Sequence, residues 1–553
     1  MLRSGRLVAA GRTWSFQSGL DLPEFTLEIT ETEEALRVQL EPRRTIALER
    51  VELDLEIPAG AWYFKNGFQS WSPSMEISGT ERFRRPWLPV LSLHYEDPGF
   101  PLEGVSYKEK GHFLAYWRTA NGVLLLLPRD LPLVIPHFLF HSGQVTVLLE
   151  VGKEIDKPTL LLDMEIRRST SLPLPRPKPS RLFGWSSWYY YYSHLRPQDV
   201  LDNLAMAGQF PYPLTYFQID DAWQEAVGDW QEKDSYRGRL AQLARRIQDQ
   251  GLRPGIWLAP FVAERKARIR RQREWFLRDA AGNPKIAGYN PGWSGTFYAL
   301  DPSHPQVQAY LLDRMEWLRS LGFDLFKFDF LYSLAIVGRN REGLNRKEQI
   351  DCGLGFLRKT AGDAQVIGCG MPLVQRSFFD FVRVGPDVAP RWEDRFLKRI
   401  GFEGRAEAFN ALRNTLSRSF LDGVYWQNDP DVMILRKCKL LPCQQRTLIL
   451  ANWFLSHFLF YSDSLDQVPS ENLVLLRQLE RFWDFSLMDC CWKEGVFTFQ
   501  GQTPKEEVLG WINLSAAGKP LVPPGDWSEF VPTFQGDGLP SYSTRIFYQV
   551  SPP

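Results

Sequence analysis

The run Leu325-Phe326-Lys327-Phe328-Asp329-Phe330 sets one lysine and one aspartate into otherwise apolar, strand-like sequence. Both charges are costly to bury unless paired. Lys327, two residues from Asp329, points to the same side of a strand and is expected to keep that carboxylate ionised, as a poised nucleophile requires. A second carboxylate, Asp387, ends Arg383-Val384-Gly385-Pro386-Asp387, just past a mostly apolar run and again near a cation. Two such carboxylates are the equipment of a glycosidase. A structural ion pair at each place is the plain alternative.

The chain that must position them has 553 residues, enough for two to four domains with a large core. Lys+Arg and Asp+Glu are both 65, so no net charge draws nucleic acid or an anionic membrane, and a neutral partner is expected. The 20 tryptophans are abundant; aromatic faces are the usual platforms for the C–H faces of sugars, and simple core packing is the alternative for most of them. The N-terminal stretch has no apolar run of signal-peptide length and nothing later reaches transmembrane length, so a cytoplasmic protein is expected. Six cysteines lack zinc spacing and read as reduced thiols. Seven histidines form no metal signature; His137 and His141 read as packing. Neither a cofactor nor a metal is expected.

Residues 1–171 read as short alternating strands between Gly, Pro and Asp turns, a β-sandwich domain. The proline-rich stretch 172–180 reads as a linker. Apolar strands then alternate with helical patterns over 181–488, and eight candidate strands can be counted: Leu182 to Trp188, Leu214 to Asp220, Arg253 to Ala259, Leu325 to Phe330, Gln365 to Cys369, Phe381 to Gly385, Gly423 to Gln427 and Phe458 to Tyr461. Eight parallel strands with intervening helices predict a (β/α)₈ TIM barrel, with chemistry at the C-terminal ends of the strands. Asp220-Asp221, Asp329, Asp387 and Asn428-Asp429 all fall at those ends, with Trp188, Trp257 and Cys369 at or near three others. A small β domain is expected over 489–553.

The segments Gly184-Trp185-Ser186-Ser187-Trp188-Tyr189, Phe217-Gln218-Ile219-Asp220-Asp221-Ala222, Pro254-Gly255-Ile256-Trp257-Leu258-Ala259-Pro260-Phe261, Phe326-Lys327-Phe328-Asp329-Phe330, Gly368-Cys369-Gly370, Arg383-Val384-Gly385-Pro386-Asp387 and Asn428-Asp429-Pro430-Asp431 together resemble the α-galactosidases of glycoside hydrolase family 36, compact bacterial type. The resemblance implies a β-supersandwich, a (β/α)₈ barrel and a C-terminal β-sandwich domain. It implies a retaining double displacement on terminal α-galactosyl units of small oligosaccharides of the melibiose and raffinose type, with Asp329 as nucleophile and Asp387 as acid/base about 5 Å apart. Asp220, Asp221 and Lys327 are then expected to bind galactosyl hydroxyls, Cys369 and Arg383 to lie near O2, and Trp188 and Trp257 to line the pocket. Longer members carry a Cys-Ser-Gly-Gly-Gly type segment where this chain has Gly368-Cys369-Gly370-Met371-Pro372, so contacts to the leaving group are expected to differ.

Raffinose-synthase-type galactosyl transfer is the nearest alternative, and a non-catalytic carbohydrate-binding protein a more distant one. A phosphate-handling isomerase lacks its glycine-rich loop. Homo-oligomerisation stays open. So does the turn Asn66-Gly67-Phe68-Gln69-Ser70-Trp71-Ser72, where Trp71 either roofs the sugar pocket, of its own or a neighbouring subunit, or packs with Phe68 in the core.

Overall fold

The computed structural model describes residues 1–58, 60–77, 95–97, 110–129, 133–141, 143–172, 180–373, 378–399, 402, 404–493, 495–522, 525–530 and 538–550. The expected linker lies almost wholly outside them. Residues up to Ser169 form a six-stranded and an eight-stranded sheet, antiparallel throughout. Their facing sides enclose one apolar core, to which Val51, Leu53 and Val147 come from one sheet and Val38 and Leu162 from the other. Alternation along Ile46–Glu56 slips once between Leu48 and Val51, where the paired strand Gln144–Ile155 has an irregular register between Glu150 and Lys153. A bulge there keeps both halves of the strand facing inward.

The site is carried by a curled sheet of nine parallel strands: β1 (Leu182–Ser186), β2 (Tyr216–Ile219), β3 (Arg253–Leu258), β4 (Leu325–Phe328), β5 (Gln365–Gly368), β6 (Phe381–Arg383), β7 (Gln427–Asp429), β8 (Val432–Met433) and β9 (Phe458–Tyr461). Parallel neighbours need a crossover, and helices such as Leu240–Asp249, Pro305–Ser320 and Arg346–Ala361 supply it. Each buries the stripe its apolar period predicts, as Val307, Leu311, Met315 and Leu318 do. β1 pairs with both β2 and β9, and the two outermost strands, β7 and β8, are separated only by Pro430 and Asp431. The sheet thus bends round until its edges are successive pieces of one segment.

One expected strand is displaced. Gly423 to Gln427 is apolar enough to read as a strand, yet Gly423 has φ 76° and its N–H donates to Trp426 O, while Val424 N–H donates to Leu421 O. Those bonds close a turn, and the strand begins only at Gln427. The C-terminal five-stranded sheet starts at Ser486, within the stretch read above as barrel. One of its faces packs on the helix Pro442–Leu455 through Phe454 and Phe499, whose ring centroids are 5.4 Å apart.

The turn Asn66–Ser74 joins the N-terminal sheets to the parallel sheet. Arg418, the last residue of the helix Ala408–Arg418 and wholly buried, donates to the carbonyls of Gly67, Gln69, Ser70 and Ser72, to Asn66 Oδ1 and to Val384 O just beyond β6. Asn414, one helical turn earlier, adds Nδ2 bonds to Ser70 O and Ser72 O and accepts from Ser74 N. A buried cation without a carboxylate survives when carbonyl dipoles surround it. Arg418→Leu would strand several of those carbonyls at about 1–3 kcal/mol each. A loss of about 3 kcal/mol or more by chemical denaturation is expected, and wild-type stability would show that the clamp is dispensable.

Candidate active site

β4 ends at Phe328, and Asp329 lies one residue past it. The following Phe330 takes a left-handed conformation, φ 56°, uncommon for an aromatic residue and a mark of local strain. That turn lets Phe330 N donate to Asp329 Oδ1 at 2.7 Å, while Trp257 Nε1 from β3 donates to Oδ2 at 3.1 Å. Asp329 itself stays tied to the sheet by its N–H bond to Leu258 O at 2.8 Å. Lys327 is not its hydrogen-bonded partner, which corrects the sequence expectation. The lysine Nζ donates to Asp220 Oδ2 at 2.8 Å, with both side chains buried. Alternation would have aligned Lys327 with Asp329 only if the strand had continued. Burial by itself would lower the ammonium's pKa, but the Asp220 carboxylate and further neighbours that include Asp329 together outweigh it and hold the pKa above its ordinary value.

Asp220 follows β2 and is locked on all sides: Gln218 Nε2 donates to Oδ2 at 2.9 Å, Asp221 N donates to Oδ1 at 2.9 Å, and its own N–H donates to Ser187 Oγ. Asp221 accepts from Ala222 N, Gln224 Nε2 and, at 2.9 Å, Trp293 Nε1. Burial nevertheless raises the Asp221 pKa, against the pull of the Gln224 and Trp293 bonds.

Across the sheet, Arg383 at the end of β6 is held among three carboxylates. Its Nε donates to Asp429 Oδ2 at 2.8 Å, Nη1 to Asp387 Oδ1 at 3.2 Å, and Nη2 lies 3.1 Å from Asp431 Oδ1. The parallel register sets the first contact, because Arg383 stands opposite Asp429. Tyr189 completes the cluster by donating to Asp387 Oδ1 at 2.9 Å while accepting from Arg383 Nη1 at 3.0 Å. Burial pushes the Asp387 carboxyl above the ordinary range; Arg383 opposes that shift and Asp329 adds to it. Burial likewise takes Asp431 up to about 7, against Arg383.

These groups face a cavity of about 570 Å³. Asp220, Asp221, Lys327, Asp329 and Asp387 line it, walled by Trp188, Trp257 and Trp71. A pocket with aromatic walls and a few converging polar groups suits a small polar molecule with apolar faces.

The family model for melibiases matches residues 171–355, which contain Asp220, Asp221, Trp257, Lys327 and Asp329 and stop short of Asp387. The α-galactosidase from Thermus thermophilus, solved with p-nitrophenyl α-D-galactopyranoside, superposes with a TM-score of 0.69 at 25% identity, covering 89% of this chain and 97% of that one. Its stachyose complex gives 0.68 at 27% identity, over 85% and 98% of the two chains. Residues 171–355 thus carry a melibiase-type domain, and the whole chain is similar to a solved α-galactosidase. Among curated relatives, mouse myogenesis-regulating glycosidase is 27% identical over 150 residues, 26% of this chain and 20% of that protein. α-Galactosidase 1 of Pediococcus pentosaceus is 22% identical over 174 residues, 29% of this chain and 22% of that protein. The matched stretch therefore spans about a fifth of each curated relative's length.

Eight of the ten residues singled out from sequence line the cavity. Cys369 and Arg383 stand behind its wall. Burial raises the Cys369 thiol's pKa and keeps it neutral, and the following Gly370, at φ 59°, brings bare backbone to the cavity where a Cβ would lie 3.6 Å from Asp329 Oδ1. The turn left open above divides: Phe68 is wholly buried beneath the Arg346 guanidinium, whereas Trp71 is half-buried and lines the cavity of its own chain. Sequence reasoning passed over Tyr189, Asp431 and Trp293. The first two sat in motifs already quoted, but Trp293 had no motif to mark it.

Among the described residues one cluster has metal-ligand chemistry, Asp97, His112 and His137, whose ligand atoms all lie within 4.8 Å of one another. His137 is thus part of a buried polar cluster, not simple packing; His141 is exposed. The donors are spent on each other: His112 Nδ1 and His137 Nδ1 are 2.8 Å apart and Asp97 is paired with Arg346.

Lys327→Met leaves a buried carboxylate unpaired, which costs about 3–5 kcal/mol. Adding Asp220→Asn should cost less than the sum of the two single losses by chemical denaturation, because the two residues form one interaction. Strict additivity would show that they are not coupled.

Proposed function

We propose that the protein is a cytoplasmic retaining α-galactosidase acting on terminal α-galactosyl units of small oligosaccharides. The observation that carries this reading is a pair of aspartates facing one cavity in opposite surroundings. Asp329 accepts two N–H bonds, whereas Asp387 sits where burial and the Asp329 charge favour its protonated form against the pull of Arg383. In this reading Asp329 attacks the anomeric carbon as Asp387 protonates the departing oxygen, which leaves a galactosyl ester on Asp329. Esterification removes the Asp329 charge that raises the Asp387 pKa, so Asp387 stays ionised more readily at the step where it must accept a proton from water. Retention requires the two carboxyls to stand about 5 Å apart.

Asp220, Asp221 and Lys327 are assigned to the sugar hydroxyls. A site built to pair an axial O4–H leaves a carboxylate unsatisfied with glucose, the kind of mismatch that discriminates steeply. Arg383 is assigned to holding Asp387 rather than to O2, since all three of its nitrogens already face oxygens of the cluster. We read the nine-stranded sheet as a (β/α)₈ barrel in which β7 and β8 are one interrupted strand, between a supersandwich over 1–171 and a β domain from about 489.

A slowly turned-over fluorinated galactoside is expected to label Asp329, as read by peptide mass spectrometry; a label on another residue would overturn the nucleophile assignment. The same experiment with sugar acceptors separates hydrolysis from transfer by its products. Catalysis should fall at alkaline pH as Asp387 loses its proton. Tyr189→Phe removes a donor that favours the ionised form, so the alkaline limb of kcat/KM should move to higher pH. A limb that stays in place or moves down would mean that another group sets it.

A further inference from the structure

The strands Ile286–Asn290 and Gly295–Ala299 form a hairpin between β3 and β4, and it supplies one whole side of the cavity mouth. Its inner side is fixed at several points. Trp293 Nε1 donates to Asp221, Ser294 N donates to Glu264 Oε2, itself buried at 2% exposure, and Tyr332 OH donates to Ala287 O at 3.0 Å. A register irregularity between Ile286 and Gly288 turns Ala287 inward and leaves its neighbours on the cavity side. Bulges of this kind re-aim side chains beside active sites.

The outer side is different. Tyr289 is 72% exposed although it lines the cavity, and its ring lies over Gly295, 3.2 Å from where a Cβ there would stand. Folding gains little from an aromatic ring held so far in water, yet the rigid hairpin keeps it in one place. Asn290 lies next to it, with Oδ1 occupied by Gly292 N at 2.9 Å and Nδ2 without a partner among the described residues. An exposed ring on a rigid support, beside an idle amide donor, has the chemistry to take the apolar face and one hydroxyl of a sugar ring.

We infer that this hairpin forms a second sugar subsite, in which Tyr289 stacks against the ring next to the galactosyl unit and Asn290 Nδ2 donates to one of its hydroxyls. The inference rests on the α-galactosidase reading and adds the residues that would hold the sugar leaving group, Tyr289 and Asn290. Through Trp293, the support of this subsite is hydrogen-bonded to Asp221 in the inner pocket, so occupation of the outer site bears on the position of the inner one.

The test compares α-galactosyl fluoride, whose leaving group is one atom, with a trisaccharide bearing a terminal α-galactosyl unit. Release of fluoride by the wild-type enzyme tests the galactosidase reading by itself; without it, that reading and this subsite both fall. Given turnover, the ratio of kcat/KM on trisaccharide to that on fluoride should drop about threefold to tenfold in Tyr289→Ala, the range expected for one lost ring contact. The ratio should return in Tyr289→Phe and drop again in Asn290→Ala. An unchanged ratio in Tyr289→Ala, or a Tyr289→Phe variant as impaired as the alanine one, would overturn the subsite while leaving the galactosidase reading intact.

Discussion

Buried charge at one end of the parallel sheet is the constraint around which the rest is arranged. Lys327, Arg383, Asp220, Asp429 and Asp431 are all withdrawn from water, where an isolated ion is prohibitively costly. They survive because the sheet brings them into contact with one another: Lys327 with Asp220, and Arg383 with Asp429, Asp431 and Asp387. The two clusters leave Asp329 and Asp387 as the less buried of the four aspartates that line the cavity, and the cations behind them set the field in which any proton moves. Asymmetry is the useful outcome. Three carboxylates around one guanidinium cannot all ionise freely, so burial can hold protons on this side of the pocket.

Aromatic packing supplies the rigidity that such electrostatics need. Trp257 donates its indole N–H to Asp329, accepts Trp223 Nε1 on its backbone carbonyl, and meets Trp230 and Trp293 edge-on. A carboxylate held in that way has little freedom to relax, which is how a preorganised site avoids reorganisation during reaction. The excess of tryptophan evident in the composition thus serves both core and pocket.

The N-terminal sheets are part of the site as well as a neighbouring unit. Arg418 and Asn414 seize the Asn66–Ser74 turn through its carbonyls, and the same guanidinium reaches Val384 O at the end of β6. Gly370 N donates to Ser70 Oγ, tying the turn to the segment after β5. Trp71 therefore reaches the cavity on a mount fixed to the segments after β5 and β6, the second of which carries Asp387, and this is a way to narrow a pocket without a mobile lid.

Much of this was legible in the chain itself. Period-two and helical patterns depend on nearest neighbours, so seven of the eight candidate strands match observed ones over most of their length while the remaining one meets its strand only at Gln427, and carboxylates at their C-terminal ends marked the pocket before any contact was known. What local pattern could not decide was partnership. Lys327 bonds a residue 107 positions away, and not Asp329 two positions on, because closure of the sheet chooses its neighbour and because the strand stops at Phe328. The same holds for Arg383, whose three carboxylates come from its own loop and from the stretch around Pro430, and for the Ile286–Ala299 hairpin, which resembles any polar connection until the sheet bends it over the cavity. Residue types and element order are written locally along the chain. Which charges meet, and which aromatic ring remains in water, is decided by long-range burial.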